Sequence, residues 1–137
     1  MSETRKGSCQ CGAVSYSVST NPMWVGHCQC VNCQKFSGGG HATNMVVARD
    51  TVDISGDLKP YKYDADSGNH MTRHFCPTCG SAIFGESSGN EAVVVIRVGT
   101  LDNPSSVEPQ AVIYTESGCS WDTIDPDLQS FPGMIKR

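Results

Sequence analysis

From Ala13 to Val18 the side chains alternate, with Val14, Tyr16 and Val18 in one set and Ala13, Ser15 and Ser17 in the other. A period of two marks a strand buried on one face. Similar short runs cover residues 42–48, 51–54, 59–63 and 70–75, parted by Gly, Asp, Asn and Pro, which favour turns over continued strand. Residues 93–98 form a more continuous β-branched run, the pattern expected of a central strand buried on both faces. Residues 111–115 add one more strand. No window of a dozen residues carries helical periodicity, and only 32–37, just ahead of three glycines, is expected to make a short helical turn. The pattern therefore predicts a mainly β fold. Residues 103–109 and the stretch from Asp125 onward, with Pro126 and Pro132, read as surface loop and tail, and no internal boundary or repeat divides the chain.

A chain of 137 residues is the size of one domain, and 38% apolar with 18% charged residues is enough to build a core. The net charge of -4 and the scattering of the 10 basic residues argue against a nucleic-acid partner, whose phosphates would need clustered Lys and Arg. Met1 to Lys6 is polar with no apolar run behind it, and no stretch approaches the roughly 20 apolar residues that cross a bilayer. Neither secretion nor a membrane partner is expected, and a cytoplasmic location follows. In that reducing compartment, clustered cysteines point to metal binding before disulfides. Nothing in the pattern specifies an oligomeric state.

The eight cysteines fall at Cys9-x-Cys11, Cys28-x-Cys30-x-x-Cys33, Cys76-x-x-Cys79 and a lone Cys119. Tetrahedral zinc with bonds of about 2.3 Å needs sulfurs roughly 3.8 Å apart, which residues two or three apart on a tight turn supply. A disulfide inside Cys-x-Cys would close a strained ring. A structural zinc takes four ligands, so pairs must combine. Cys9 and Cys11 join Cys76 and Cys79, whose Cys-Pro-Thr-Cys-Gly sequence is a zinc knuckle with Gly80 freeing the turn. This four-thiolate site would staple distant segments in a structural role. Cys28, Cys30 and Cys33 offer three thiolates in six residues, leaving a coordination position for water or a substrate sulfur, as in catalytic zinc sites. The alternative is a second structural zinc completed by His27, His41, His74 or Cys119. Cys119, with no close partner in sequence, otherwise reads as a spectator.

The runs Gly7-Ser8-Cys9-Gln10-Cys11-Gly12-Ala13-Val14, Cys28-Gln29-Cys30-Val31-Asn32-Cys33-Gln34-Lys35 with Ser37-Gly38, and Phe75-Cys76-Pro77-Thr78-Cys79-Gly80 resemble the signature of the glutathione-dependent formaldehyde-activating enzyme family, whose domain is shared with centromere protein V. Val98-Gly99-Thr100-Leu101-Asp102 and Trp121 also fit, so the resemblance spans residues 7–132, leaving 1–6 as a flexible N-terminal tail and 133–137 as a C-terminal tail. It implies a Mss4-like fold of short antiparallel sheets stapled by zinc, with two zinc ions per chain: one structural at Cys9, Cys11, Cys76 and Cys79, and one at Cys28, Cys30 and Cys33. It further implies a carbon-sulfur lyase associated with S-hydroxymethylglutathione, the adduct of glutathione and formaldehyde. Relatives often carry His at the position of Gln29 and Arg at that of Gln34, so this chain differs in the surroundings of the open site.

The expected chemistry is activation of a small-molecule thiol, with glutathione the implied candidate, at the site of Cys28, Cys30 and Cys33, forming or cleaving hemithioacetals. His27 and His41 are the nearest proton-transfer candidates in sequence, and Gly38, Gly39 and Gly40 would make a mobile backbone beside the site. A rival expectation is a non-catalytic zinc-ribbon module that binds another protein through a patch built by Trp24, Trp121 and Phe131. A redox sensor would need metal-free thiols and ranks below both.

Overall fold

The computed structural model describes residues 4–135. In chain order its strands are β1 Arg5–Ser8, β2 Ser15–Val18, β3 Trp24–Cys28, β4 Ala42–Ala48, β5 Val52–Ser55, β6 Lys59–Asp64, β7 His70–Phe75, β8 Ala82–Ser87, β9 Val93–Arg97, β10 Ala111–Ile113 and β11 Gln129–Ser130, and its one α-helix among the described residues is α1, Val31–Ser37. Strands β1, β2 and β5 form an antiparallel sheet in that order, and the other eight form a second sheet in the order β11-β10-β3-β4-β9-β8-β7-β6. The fold is mainly β, as the pattern predicted. It departs from wholly antiparallel pairing at β10, which runs parallel to both β3 and β11.

The register of the large sheet decides which side chains share a face. His27 pairs with Thr43, Cys28 with Ala42, Asn44 with Arg97 and Met45 with Ile96. Alternation then sets Val25, His27, Thr43, Met45, Val47, Val94 and Ile96 on one face. Cys28, Ala42, Asn44, Val95 and Arg97 lie on the other. The first face meets Val14, Tyr16 and Val18 of the small sheet in the main core, where Met45, Val47, Ile96, Val14 and Val18 lose all contact with solvent. Burying each such side chain contributes about 1.5–3 kcal/mol. The second face carries α1 and a smaller cluster that includes Cys28, Cys33, Ala42 and Ile113.

The sequence pattern did not find β1, β3, β8 or β11. Trp-Val-Gly-His-Cys of β3 mixes polar and apolar residues on each side of the period, and β8 is broken by Gly85, so neither alternates cleanly. Strand β1 begins inside the segment 1–6, Arg5 pairing with Val18. In the segment 133–137, the Gly133 carbonyl accepts the Tyr114 N–H at 3.1 Å and Ile135 packs on the smaller cluster. Residues 1–3 and 136–137 lie outside the described residues. Strand β9 is central, between β4 and β8, but only one of its faces is fully buried; the other is half-buried and ends on Arg97.

Candidate metal centres

Two turns build the first thiol cluster. Cys9 and Cys11 follow β1, and Cys76 and Cys79 lie between β7 and β8. Each turn closes with a backbone hydrogen bond onto its first cysteine, Gly12 N–H to the Cys9 carbonyl at 3.2 Å and Gly80 N–H to the Cys76 carbonyl at 2.8 Å. Both glycines hold left-handed backbone, at φ 82° and 81°, where a side chain would add strain. The sulfur of Cys11 lies 3.6 Å from that of Cys9 and 3.7 Å from that of Cys76, and all four sulfurs lie within 4.8 Å of one another. Those spacings fit a single tetrahedral ion. Hydrogen bonds prepare the sulfurs for negative charge: Val14 N–H donates to Cys9 at 3.3 Å, and the Ser81 hydroxyl meets Cys79 at 3.2 Å. The Ser81 hydroxyl and amide draw the Cys79 thiol down to about 5. The Ala13 amide favours the Cys11 thiolate, yet neighbouring thiols and burial outweigh it and push that group up to about 11.

The second cluster sits at one junction of strand and helix. Cys28 ends β3, Cys30 caps the N-terminus of α1 with its sulfur accepting the Cys33 N–H at 3.3 Å, and Cys33 is buried within the helix. Their three sulfurs also lie within 4.8 Å of one another. The thiols of Cys28 and Cys33, with the helix amides, pull Cys30 down to about 2, while contact with Cys30 pushes Cys28 up to about 11, and both neighbours, with burial, push Cys33 up. Three thiols gathered at the start of α1 make a donor set for a soft cation. All eight cysteines are free thiols. Either cluster could hold a metal ion, and the donors of both suit zinc.

The four candidates for a fourth ligand lie elsewhere. His27 and His41 belong to the opposite face of the large sheet, where His27 meets the Thr43 hydroxyl at 2.9 Å, His41 meets the Asp122 carboxylate at 2.9 Å, and the two rings contact edge to face. His74 pairs with Glu86, and Cys119 donates weakly to the Gln34 side chain at 3.5 Å. A proton-bearing side chain that packs on the cluster containing Cys28 and Cys33 is Tyr114, the one non-glycine among the described residues with positive φ, at 58°. Such backbone costs about 1–2 kcal/mol and recurs where function holds it.

The chain matches the family described as glutathione-dependent formaldehyde-activating enzyme over residues 4–117. It belongs to that family. It is similar to a Halomonas elongata protein named “Putative glutathione-dependent formaldehyde-activating enzyme”, with 37% identity over 84 residues, 58% of this chain and 54% of the relative. The chain thus matches about half the length of that relative. A crystal structure of a Rhodobacter sphaeroides protein shares the fold, with a TM-score of 0.59 and 23% identity, over 74% of this chain and 93% of that one.

The family match takes in both clusters and stops short of Cys119 and Asp122. The segment from Ser117 to Asp122 is tied down by Gln29 and Gln34. Gln34 donates to the carbonyls of Gln29 at 2.9 Å and Ser117 at 2.8 Å, and buried Gln29 donates to Asp122 at 3.0 Å. The glycines expected to be mobile have fixed tasks: Gly38 closes α1 at φ 74°, and a side chain at Gly40 would run into Asp122. Of the aromatics proposed for a docking patch, Trp24 and Phe131 pack on the three-thiol cluster and only Trp121 is exposed. Among the described residues no helix is long and apolar enough to cross a membrane.

Sequence reasoning passed over the groove beside α1. Phe36, one helical turn beyond Cys33, joins Tyr61, Arg73, Phe75 and Arg97 around a space of about 280 Å³. The charged residue inside the β-branched run of 93–98 was the available signal.

Proposed function

We propose that this protein is a zinc-dependent carbon-sulfur lyase acting on thiol-aldehyde adducts, hemithioacetals such as S-hydroxymethylglutathione, in either direction. The observation that carries the reading is the three-thiol cluster, to which no fourth protein ligand is joined among the described residues. Cys28, Cys30 and Cys33 would hold the ion, and Cys9, Cys11, Cys76 and Cys79 a second, structural one. Zinc at the three-thiol site would supply an open position and the Lewis acidity that keeps a sulfur ionised near neutral pH.

In cleavage the carbon-sulfur bond breaks with its electron pair left on sulfur, the adduct hydroxyl loses its proton, and the carbon-oxygen double bond of the aldehyde forms. The chain's part is to orient the adduct and take that proton. Tyr114 packs against the cluster, and its hydroxyl has no hydrogen-bond partner among the described residues, so it is our candidate for the proton-handling group. Phe36, Trp24 and Phe131 surround the cluster with apolar surface, which strengthens charge interactions there. His27 and His41 lie on the other face of the sheet, engaged with Thr43 and Asp122, which supports Tyr114 over them.

The experiment is exchange between formaldehyde, glutathione and their adduct, followed by NMR with native protein and Cys30→Ala. Catalysed exchange by native protein, lost by at least a hundredfold in the folded variant, is expected. Unchanged exchange in Cys30→Ala would sink the proposal.

A further inference from the structure

We propose that the groove beside α1 recognises a carboxylate on the substrate thiol through Arg73 and Arg97, so that this site selects anionic thiols over neutral ones. The proposal rests on the thiol-adduct reading and gives it a substrate class.

Both guanidiniums belong to the face that carries the three thiols. Arg97 pairs across the sheet with Asn44, and Arg73 with Gly85, which in turn faces Val95. Their side chains converge on one ring: the guanidinium carbons lie 4.2 Å (Arg97) and 4.9 Å (Arg73) from the centre of Phe36. Arg73 also lies over Tyr61 at 4.9 Å and Tyr63 at 5.3 Å. Phe36 stands at i+3 from Cys33, on the same side of α1, so the groove opens within one helical turn of the thiols.

Two like charges beside one aromatic ring repel, and a fold with no use for them would pair each with an acid. Here neither has a carboxylate partner among the described residues; ion pairs there use Arg49, His41, His70 and His74. Arg97 is positioned by the buried Asn44 side chain, to which it donates at 2.9 Å. Burial lowers its pKa, the charge of Arg73 adds to that, and the Cys33 thiol opposes it. The surroundings also make room: a side chain at Gly85 would come within 2.7 Å of an Arg97 nitrogen. Flat aromatic walls and planar forks of N–H donors are what a carboxylate is held by, in paired charge-assisted hydrogen bonds. The volume of about 280 Å³ is just under that of sites which enclose a whole small molecule, a size for the carboxylate arm of a thiol whose sulfur lies at the cluster.

The test is calorimetric titration of zinc-loaded protein with 3-mercaptopropionate and with its neutral counterpart 3-mercapto-1-propanol, repeated on Arg73→Gln and Arg73→Lys. Native protein is expected to bind the acid at least tenfold more tightly. Arg73→Gln should lose most of that preference while its affinity for the alcohol holds, and Arg73→Lys should keep part of it. Equal binding of both thiols by native protein would overturn the proposal, and that comparison decides even if Arg73→Gln does not fold. So would an Arg73→Gln variant that weakens acid and alcohol alike. If neither thiol binds, the thiol-adduct reading itself falls and takes the proposal with it; if both bind alike, that reading stands and only the carboxylate recognition is lost.

Discussion

The two thiol clusters use the same donor chemistry with opposite chain economy. One gathers its sulfurs from turns far apart in sequence, Cys11 and Cys76 being separated by 65 residues, and ties the end of β1 in the small sheet to the β7-β8 connection in the large one. The other takes all three from one strand-helix junction. A metal that joins distant segments adds its binding energy to folding, because the unfolded chain cannot assemble the site. A metal held by neighbours in sequence constrains little of the fold and is free to be left short of a ligand. With metal bound as proposed, the difference would be between a site the fold depends on and a site the fold displays.

The sharpest way to break this comparison is to remove one sulfur from each. Structural zinc is worth about 10–16 kcal/mol in small zinc domains, as much as the whole stability of a typical domain. Cys76→Ala should leave the protein largely unfolded by circular dichroism. Cys30→Ala should stay folded, lose one of two zinc ions by elemental analysis, and melt only a few degrees lower. A folded, fully stable Cys76→Ala would erase the distinction.

A smaller effect sharpens it. Gly80 and Gly38 both hold left-handed backbone with open space where a side chain would go, so alanine at either should cost about 1–2 kcal/mol of strain. Urea unfolding should show similar losses for the two variants. Competition with a chelator should show weaker metal retention for Gly80→Ala at the four-thiol site, whereas Gly38→Ala, at the far end of α1, should leave that site unchanged.

The smallest effect concerns the loop that carries Asp122. Burial alone would raise the Asp122 carboxyl, but hydrogen bonds from Gln29 and His41 outweigh it and hold it below its ordinary 3.8. A depressed carboxylate pKa means the fold favours the ionised form. Its contribution is complete above about pH 5 and is lost as pH falls through the lowered value. Asp122→Asn should cost a few tenths to about 1 kcal/mol at pH 7 and flatten the fall in stability between pH 4 and 2, measured by urea midpoints. An acid limb as steep as in native protein would show that the ion pair with His41 does not tie the loop.

Seven cysteines in three tight groups made the metal-binding turns legible in the sequence, because spacing within a turn is local, and the joining of two turns into one site was reached by counting ligands. Strands β4 and β7 were legible as short runs bounded by turn-forming residues. What stayed hidden depends on register. Cys28 and His27 are neighbours in the chain and were read as neighbours in function, yet pairing with Ala42 and Thr43 turns them to opposite faces of the sheet. Arg73 and Arg97 meet at Phe36 only because β7, β8 and β9 align as they do. The tasks of Gln29 and Gln34 are long-range as well, reaching Asp122 and Ser117 across more than eighty residues.

The parallel pairing of β10 with β3 has a consequence for the order in which the molecule is made. On a ribosome, every sulfur of both clusters has been synthesised by Cys79, while β10, Tyr114, the Ser117 carbonyl and Phe131 come later. A metal taken up at that stage would be held by a thiol cluster still without its wall, and the later segment, folding beside β3, would enclose it.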